Sequence, residues 1–163
     1  MRRDDREAAY VEFVLARQTH LRRIAYSLCG DWHQAEDLLQ SSLVKLYVAW
    51  PRVRRDGREE AYARQVIVRT SIDEHRRAHN RERPGLDGLD PAAREPVSTE
   101  DRTELVTALQ SLPEMQRKVV VLRHWLGFSV TETAAELAIS EGTVKSHSSR
   151  GLAHLRDLVA EPG

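Results

Sequence analysis

Four polar side chains share the outer face of a helix that the sequence predicts after Ser140: Lys145, Ser146, Ser149 and Arg150. The opposite face is predicted to pack inward, because its residues recur at spacings of three and four: Val144, Ser148, Leu152, Leu155 and Val159. A helix that begins with small and polar residues and carries cations on one side suits the major groove of DNA. The chemistry that this face offers is therefore hydrogen bonding and ion pairing with a nucleic acid.

A shorter helix is predicted just before this one, ending in a tight turn. Ser129 and Glu132 have the spacing of a capping box, in which each residue satisfies a free backbone N–H at the start of a helix. Small apolar residues follow and allow a second helix to pack closely: Ala134, Ala135, Leu137 and Ala138. Ile139 and Ser140 fit the turn, and Ser140 is predicted to cap the next helix. The segment 129–156 thus indicates a helix-turn-helix, with an ordinary helical hairpin as the alternative.

Charge is unevenly distributed along the chain, although the formal net charge is zero. Residues 1–83 contain 17 Lys and Arg against 13 Asp and Glu, whereas residues 84–101 contain one Arg and five acids. Residues 102–163 contain seven of each sign. Local basic surfaces can bind DNA while the acidic segment offsets them in the total. The neutral total predicts modest affinity for free DNA, because phosphate contacts supply most non-specific binding.

The composition favours a soluble helical protein, with 40% apolar and 31% charged residues. No apolar run approaches the roughly 20 residues that a membrane-spanning helix needs. The first ten residues lack the apolar core of a secretion signal. Cys29 is the only cysteine, which excludes an internal disulfide and fits a reducing compartment. We therefore expect a cytoplasmic protein that does not insert into a membrane.

Helical spacing on both sides of residues 84–101 predicts an all-α fold. Three prolines and two glycines within 84–101 predict a flexible linker between two small helical domains, residues 1–83 and 102–163. We expect four helices in the first domain, within 7–30 (with a break near Thr19), 34–50 and 59–80. In the second domain, helices over 102–111 and 113–125 precede the helix-turn-helix. The β-prone valine-rich runs 66–68 and 119–121 lie inside helical spans, and we predict helix for both.

Three strings of sequence carry a resemblance to a known family. The first domain contains LRRIAYSLCGDWHQAEDLLQSSLVKLY and EAYARQVIVRTSIDEHRR, and the second contains ALQSLPEMQRKVVVLRHWLGFSVTETAAELAISEGTVKSHSSRGLAHLR. In this order they resemble the extracytoplasmic-function group of bacterial sigma-70 factors, which are subunits of RNA polymerase. The GTVKSH segment is similar to the actinobacterial SigE-like branch.

The resemblance implies a partner and a mechanism. It implies binding to core RNA polymerase, at the clamp coiled coil and the flap, followed by recognition of promoter DNA and melting of the −10 element. It also implies that an anti-sigma factor can hold the protein. It implies no cofactor, no metal and no catalytic residue.

The resemblance assigns three sets of contact residues. The −35 element would be read by Thr143, Lys145, Ser146, His147, Ser149 and Arg150. The −10 element would be bound by Tyr62, Arg64, Arg69, Thr70, Asp73, Arg76 and Arg77. Core polymerase would be contacted by Asp37, Leu38 and Gln40, which lie in the AEDLLQ segment.

These residue types suit the implied roles, and each set has a simpler interpretation. Lys and Arg suit guanine edges, and Ser suits bases or phosphates. Tyr62 offers an aromatic surface, and Thr70 would lie near the pocket that takes a flipped-out base. Alternatively, the arginines form a solvated face with ion pairs to Glu60, Asp73 and Glu74. Likewise, Glu36 and Asp37 alone indicate only a solvated acidic helix start. Ser41 departs from the family, in which an acid is common.

Three rival functions are open to the sequence. A DNA-binding regulator that never joins polymerase explains the second domain but not AEDLLQ or the helix over 62–77. An enzyme is suggested only by His75 and His79, which are four residues apart on one helical face. No nucleophile motif, phosphate loop or paired cysteine accompanies them, and Arg76 and Arg77 would oppose a bound metal. A purely helical adaptor leaves the groove-binding helix unexplained.

Overall fold

The computed structural model describes residues 2–53, 57–80 and 104–160, without the side chains of 78–80 and 159–160. Within these ranges all the regular structure is helical, which confirms the predicted all-α fold. The chain divides into two compact units, residues 1–96 and 97–163. The predicted linker, residues 84–101, lies outside the described residues.

The first unit begins with two long antiparallel helices. Helix α1 spans Arg3–Cys29 without interruption, so the predicted break near Thr19 was wrong. Gly30 ends it in the left-handed conformation at φ 71°, and its N–H donates to the carbonyl of Tyr26 at 2.8 Å. Helix α2 spans Trp32–Ala49 and begins at Asp31, whose carboxylate accepts the N–H of Gln34 at 3.1 Å.

Helix α3 completes the first unit and spans Glu59–Asn80. A short 3₁₀ turn over Trp50–Arg52 contains Pro51 and ends the second helix. Within its described residues, 2–53 and 57–80, the unit therefore has three long helices rather than the predicted four. Helix α2 packs against both others, and its inner face meets theirs in a core of fully buried side chains: Leu21, Ile24, Leu38, Leu39, Leu46, Ile67 and Val68.

The second unit is built from four short-to-medium helices. Helix α4 spans Glu104–Gln110, α5 spans Glu114–Val120, α6 spans Val130–Leu137 and α7 spans Glu141–Ala160. A π-helical turn over Val121–Trp125 extends α5, and the N–H of Leu126 donates to the carbonyl of Val121 at 2.9 Å. Both valine-rich runs are helical, as predicted. The predicted start of the first helix at residue 102 lies outside the described residues.

Candidate nucleic-acid interface

The helix-turn-helix in the second unit forms through local hydrogen bonds. The predicted capping box is present, because Ser129 Oγ accepts the N–H of Glu132 at 3.0 Å and Glu132 Oε1 accepts the N–H of Ser129 at 2.9 Å. The bond from the Ser129 backbone, and then the one with its side chain, lower the pKa of the Glu132 carboxyl. Ser140 caps α7 as predicted, accepting the N–H of Thr143 at 3.1 Å.

The turn between α6 and α7 depends on an unusual backbone conformation. Ala138 has φ 56° and is the non-glycine residue with positive φ among those described. This conformation is unfavourable for an L-residue with a Cβ atom. Packing compensates for it, because Val144 is fully buried with Val119 and Ala134, while Leu137 and Ile139 pack against the same cluster.

The six predicted −35 residues lie on α7 with different exposures. Lys145, Ser149 and Arg150 are exposed, whereas Thr143, Ser146 and His147 are half-buried. Thr143 Oγ1 is 2.8 Å from Ser140 Oγ, so its hydroxyl already takes part in the cap. The Nδ1 atom of His147 is buried, without a hydrogen-bond partner among the described residues. The exposed members of this set are therefore two cations and one serine.

Two contacts from the preceding elements hold the inner side of α7. His124, in the π-helical turn, has its Nε2 atom 2.8 Å from Ser148 Oγ. At Gly151 the backbone approaches Val120 so closely that an added Cβ would lie 2.6 Å from Val120 Cγ2. Neither contact is visible in the sequence pattern, because each joins elements that are separated along the chain.

Helix α3 exposes most of the predicted −10 residues. Arg69, Asp73, Arg76 and Arg77 are exposed, Arg64 is half-buried and Tyr62 is 38% exposed. The arginines extend along the helix as a basic surface with one aromatic ring at its beginning.

Thr70 differs from the other predicted −10 residues because its side chain is buried. Its side chain is only 2% exposed, and its Oγ1 accepts a hydrogen bond from Lys45 Nζ at 3.2 Å. It lies on the buried side of α3 against α2, so its hydroxyl is turned away from the exposed surface of the other −10 residues. The exposed group at this point is Lys45, which the sequence analysis did not select.

Glu60, at the start of α3, has ion-pair partners on α1, whereas the alternative interpretation of the α3 arginines had paired it within its own helix. Its carboxylate lies 3.2 Å from His20 Nε2 and 3.7 Å from Arg17 Nη2. Burial lowers the pKa of His20, and this effect exceeds the opposing one of Glu60. The pairs link the beginning of α3 to α1.

The predicted polymerase-binding residues also include both exposed and buried side chains. Asp37 and Gln40 are exposed on α2, but Leu38 is fully buried in the core. Leu38 as a contact residue was therefore wrong. Val44 and Val48 were not among the predicted residues, although they are 63% and 69% exposed. They continue the outer face of Asp37 and Gln40 at helical spacing. Their spacing relative to the buried leucines could have indicated this.

An apolar groove in the second unit was also missed. It encloses about 270 Å³ between α4, the α5 segment with its π-helical turn, and α7. Leu105, at its rim, is 52% exposed. The lining residues are Leu105, Leu109, Val120, Val121, His124, Trp125, Leu152 and Leu155. Three elements contribute to it, so no single periodic segment predicts it.

The described part of the chain offers neither a metal-binding cluster nor a membrane-spanning helix. It contains no group of three or more His, Cys, Asp or Glu residues arranged to hold a metal ion. None of its helices is both long and apolar enough to span a bilayer. The predicted pair His75 and His79 has no described geometry, because the side chain of His79 lies outside the described residues.

Both units match known sequence families. The sigma-70 region 2 family matches residues 13–81, and the sigma-70 region 4 family matches residues 102–155. The two matched segments leave out the whole of the predicted linker, residues 84–101. They cover the helices that expose the predicted −10, polymerase and −35 residues.

Relatives of similar length support the same relationship. The chain is 42% identical to the RNA polymerase sigma-E factor of Streptomyces avermitilis over 151 residues, or 91% of this chain and 83% of that protein. It is 30% identical to the ECF RNA polymerase sigma factor SigM of Mycobacterium tuberculosis, over 93% of this chain and 77% of that protein.

Two solved structures have a similar fold. The Bartonella quintana sigma factor RpoE, solved in complex with the anti-sigma factor NepR, has a TM-score of 0.61 and 25% identity, over 95% of this chain and 99% of that one. CnrH, solved in complex with the cytosolic domain of CnrY, has a TM-score of 0.52 and 22% identity, over 96% of this chain and 91% of that one.

Proposed function

The chain belongs to the extracytoplasmic-function sigma factors of RNA polymerase, and we propose how its surfaces direct transcription initiation. It binds core polymerase, and the holoenzyme then recognises and opens promoter DNA. The observation that carries this proposal is the order of two DNA-suited helices on two units, each within a sigma-70 family match. We assign region 2 to residues 1–83, the linker to 84–101 and region 4 to 102–163.

Helix α7 reads the −35 element in the major groove. Lys145 and Arg150 can donate to guanine O6 and N7, and Ser149 can bond a base or a phosphate. Thr143, Ser146 and His147 are less exposed and contribute from the edges of this surface. The capped start of α7 supports the assignment, because residues near the N-terminus of a recognition helix contact the base edges.

Helix α3 binds the opened −10 strand. Arg64, Arg69, Arg76 and Arg77 hold phosphates, with Asp73 among them, and the Tyr62 ring offers a face for base stacking. Opening several base pairs costs free energy, which contacts with the captured strand offset. Lys45 extends the cationic surface from α2.

The outer face of α2 docks on the polymerase clamp. Asp37 and Gln40 supply polar contacts, and the exposed Val44 and Val48 supply apolar area beside them. Exposing valine side chains to water is unfavourable in free energy, and burying them in an interface removes this cost. The groove in the second unit supports a second docking point, in which an apolar helix face of the polymerase flap packs against Leu105 and its neighbours.

The protein acts by binding alone, in the cytoplasm, without a cofactor. The similar sigma factor RpoE of Bartonella quintana has been solved with the anti-sigma factor NepR. We propose that an anti-sigma factor can hold this chain as well, by covering the apolar surfaces that polymerase would use.

Reconstitution with core RNA polymerase tests the proposal. We expect a stable holoenzyme that starts transcripts at a limited set of positions on genomic DNA, and sequencing of their 5′ ends would map the promoters. Core enzyme without the protein is the control. Binding of promoter DNA without any binding to core polymerase would instead establish a regulator that does not join polymerase.

A further inference from the structure

A single unbroken helix in the second unit carries two surfaces. The first half of α7 exposes Lys145, Ser149 and Arg150, whereas its second half contributes Leu152 and Leu155 to the apolar groove. Because an α-helix rotates and shifts as one body over this length, whatever holds its inner side also sets the direction of its exposed side chains.

The apolar contacts of α7 restrain its distance from the rest of the unit. Val144 is fully buried, and the Gly151 backbone lies against Val120 with no room for a side chain. Contacts of this kind are non-directional and permit a small rotation of the helix about its own axis. A second type of contact is needed to fix that rotation.

The hydrogen bond between His124 and Ser148 is directional and supplies that restraint. Ser148 lies between the two apolar contacts and directly precedes Ser149, and its Oγ is 2.8 Å from His124 Nε2. Hydrogen bonds weaken steeply when their angle changes, so a rotation of α7 would weaken this one. Partial burial, and then the Arg123 cation, lower the pKa of His124, and both effects favour the neutral ring.

We propose that His124 is a positioning residue for −35 recognition: through Ser148 it fixes the rotation of α7 and thereby the direction of Lys145, Ser149 and Arg150. The inference rests on the proposed function, in which α7 reads the −35 element. His124 itself touches no DNA in this account. The same residue lines the apolar groove, so it connects the groove wall to the DNA-reading face.

The test uses holoenzyme and two templates. One template is a promoter mapped by reconstituted transcription, and the other is the same promoter with its −35 element replaced by an unrelated sequence. The measured quantity is the ratio of transcript from the two templates. His124→Phe keeps a ring without a hydrogen bond, and Ser148→Ala removes the same bond from the other side. We expect each to lower the ratio by roughly three- to tenfold, the usual worth of one hydrogen bond.

Three further variants distinguish a positioning role of His124 from a general effect on the stability of the protein. His124→Gln keeps a group that can bond Ser148 and should restore most of the ratio. The double variant His124→Phe/Ser148→Ala should lower the ratio no further than either change alone, because both remove one interaction. His154→Phe makes the same chemical change at an exposed position of α7 and should leave the ratio unchanged.

The outcomes distinguish this inference from the proposed function. An unchanged ratio for Ser148→Ala in an active holoenzyme would overturn the inference, whether or not His124→Phe folds. So would equal losses on both templates together with a lower melting temperature, which would indicate a structural role alone. If wild-type holoenzyme fails to form, or ignores the −35 replacement, the proposed function itself fails.

Discussion

The two helices that face DNA in the proposed function, α3 and α7, present their polar side chains in different ways. On α7, the three exposed residues of the predicted −35 set lie close to the Ser140 cap, the buried Val144 and the His124 bond. On α3, arginines extend along much of the helix from the exposed Tyr62 onward. Reading of duplex DNA needs fixed hydrogen-bond geometry, whereas capture of a single strand needs charge and a stacking surface.

This difference leads to opposite expectations for substitutions. Changes that disturb the packing of α7 should abolish sequence discrimination at the −35 element. Changes on α3 should weaken binding gradually and with little dependence on sequence. Substitutions on α7 and α3 therefore test the difference between the two helices.

The largest effect is expected from Val144→Asp. Val144 is fully buried among apolar side chains, and an unpaired carboxylate there costs on the order of 4 kcal/mol. A unit of this size has little stability to spare. We expect loss of amide protection in residues 104–160 and loss of the −35 preference. Val144→Ile is the matched apolar control, and retained discrimination in Val144→Asp would show that α7 does not depend on this core.

Arg150→Ala should have the next largest effect. A bidentate contact with guanine is worth about 1–3 kcal/mol, so transcription that depends on the −35 element should fall roughly tenfold or more. Binding to core polymerase should stay unchanged. Arg156→Ala, also exposed on α7 but outside the predicted contacts, is the control. Equal losses in both variants would point to net charge rather than to base reading.

Arg76→Ala/Arg77→Ala should change the salt dependence of promoter opening. Each lost phosphate contact on a single strand lowers the slope of log affinity against log salt by about 0.7, so two should lower it by about 1.4. The loss should be similar for different −10 sequences. A strongly sequence-dependent loss would mean that α3 reads bases with these arginines, and the contrast with α7 would disappear.

Val44→Ser/Val48→Ser should weaken core binding by several-fold through lost apolar contact. Because polymerase binding precedes both DNA contacts, activity at limiting core enzyme should fall equally on templates with and without a −35 element. Asp37→Ala should act in the same direction. Val11→Ser, exposed on α1, is the matched control. Unequal losses on the two templates would place these valines in DNA recognition instead.

The sequence predicted the structure best where its determinants are local. The capping box of Ser129 and Glu132 and the cap at Ser140 depend on residues three apart, and both were found. Leu38 was misplaced because its burial depends on α2 lying between two other helices. The uninterrupted α1 has the same origin, since its packing along α2 outweighs the polar residues around Thr19. The apolar groove could not be predicted from the sequence of any single element, because three elements form it.

The smallest effect concerns the capping box that begins α6. Ser129→Ala should cost about 1 kcal/mol through the lost cap. Glu132 also makes this part of the unit sensitive to acid. Because its folded pKa is lowered from the ordinary 4.5, its contribution is fully present above that value and is lost as pH falls through the folded pKa. Melting temperature measured from pH 7 to pH 3 should therefore fall less in Glu132→Gln than in the wild type. If the two curves of melting temperature against pH are parallel, the Glu132 carboxylate does not stabilise the start of α6. The position of α7 then depends on the Val144 core and the His124 hydrogen bond alone.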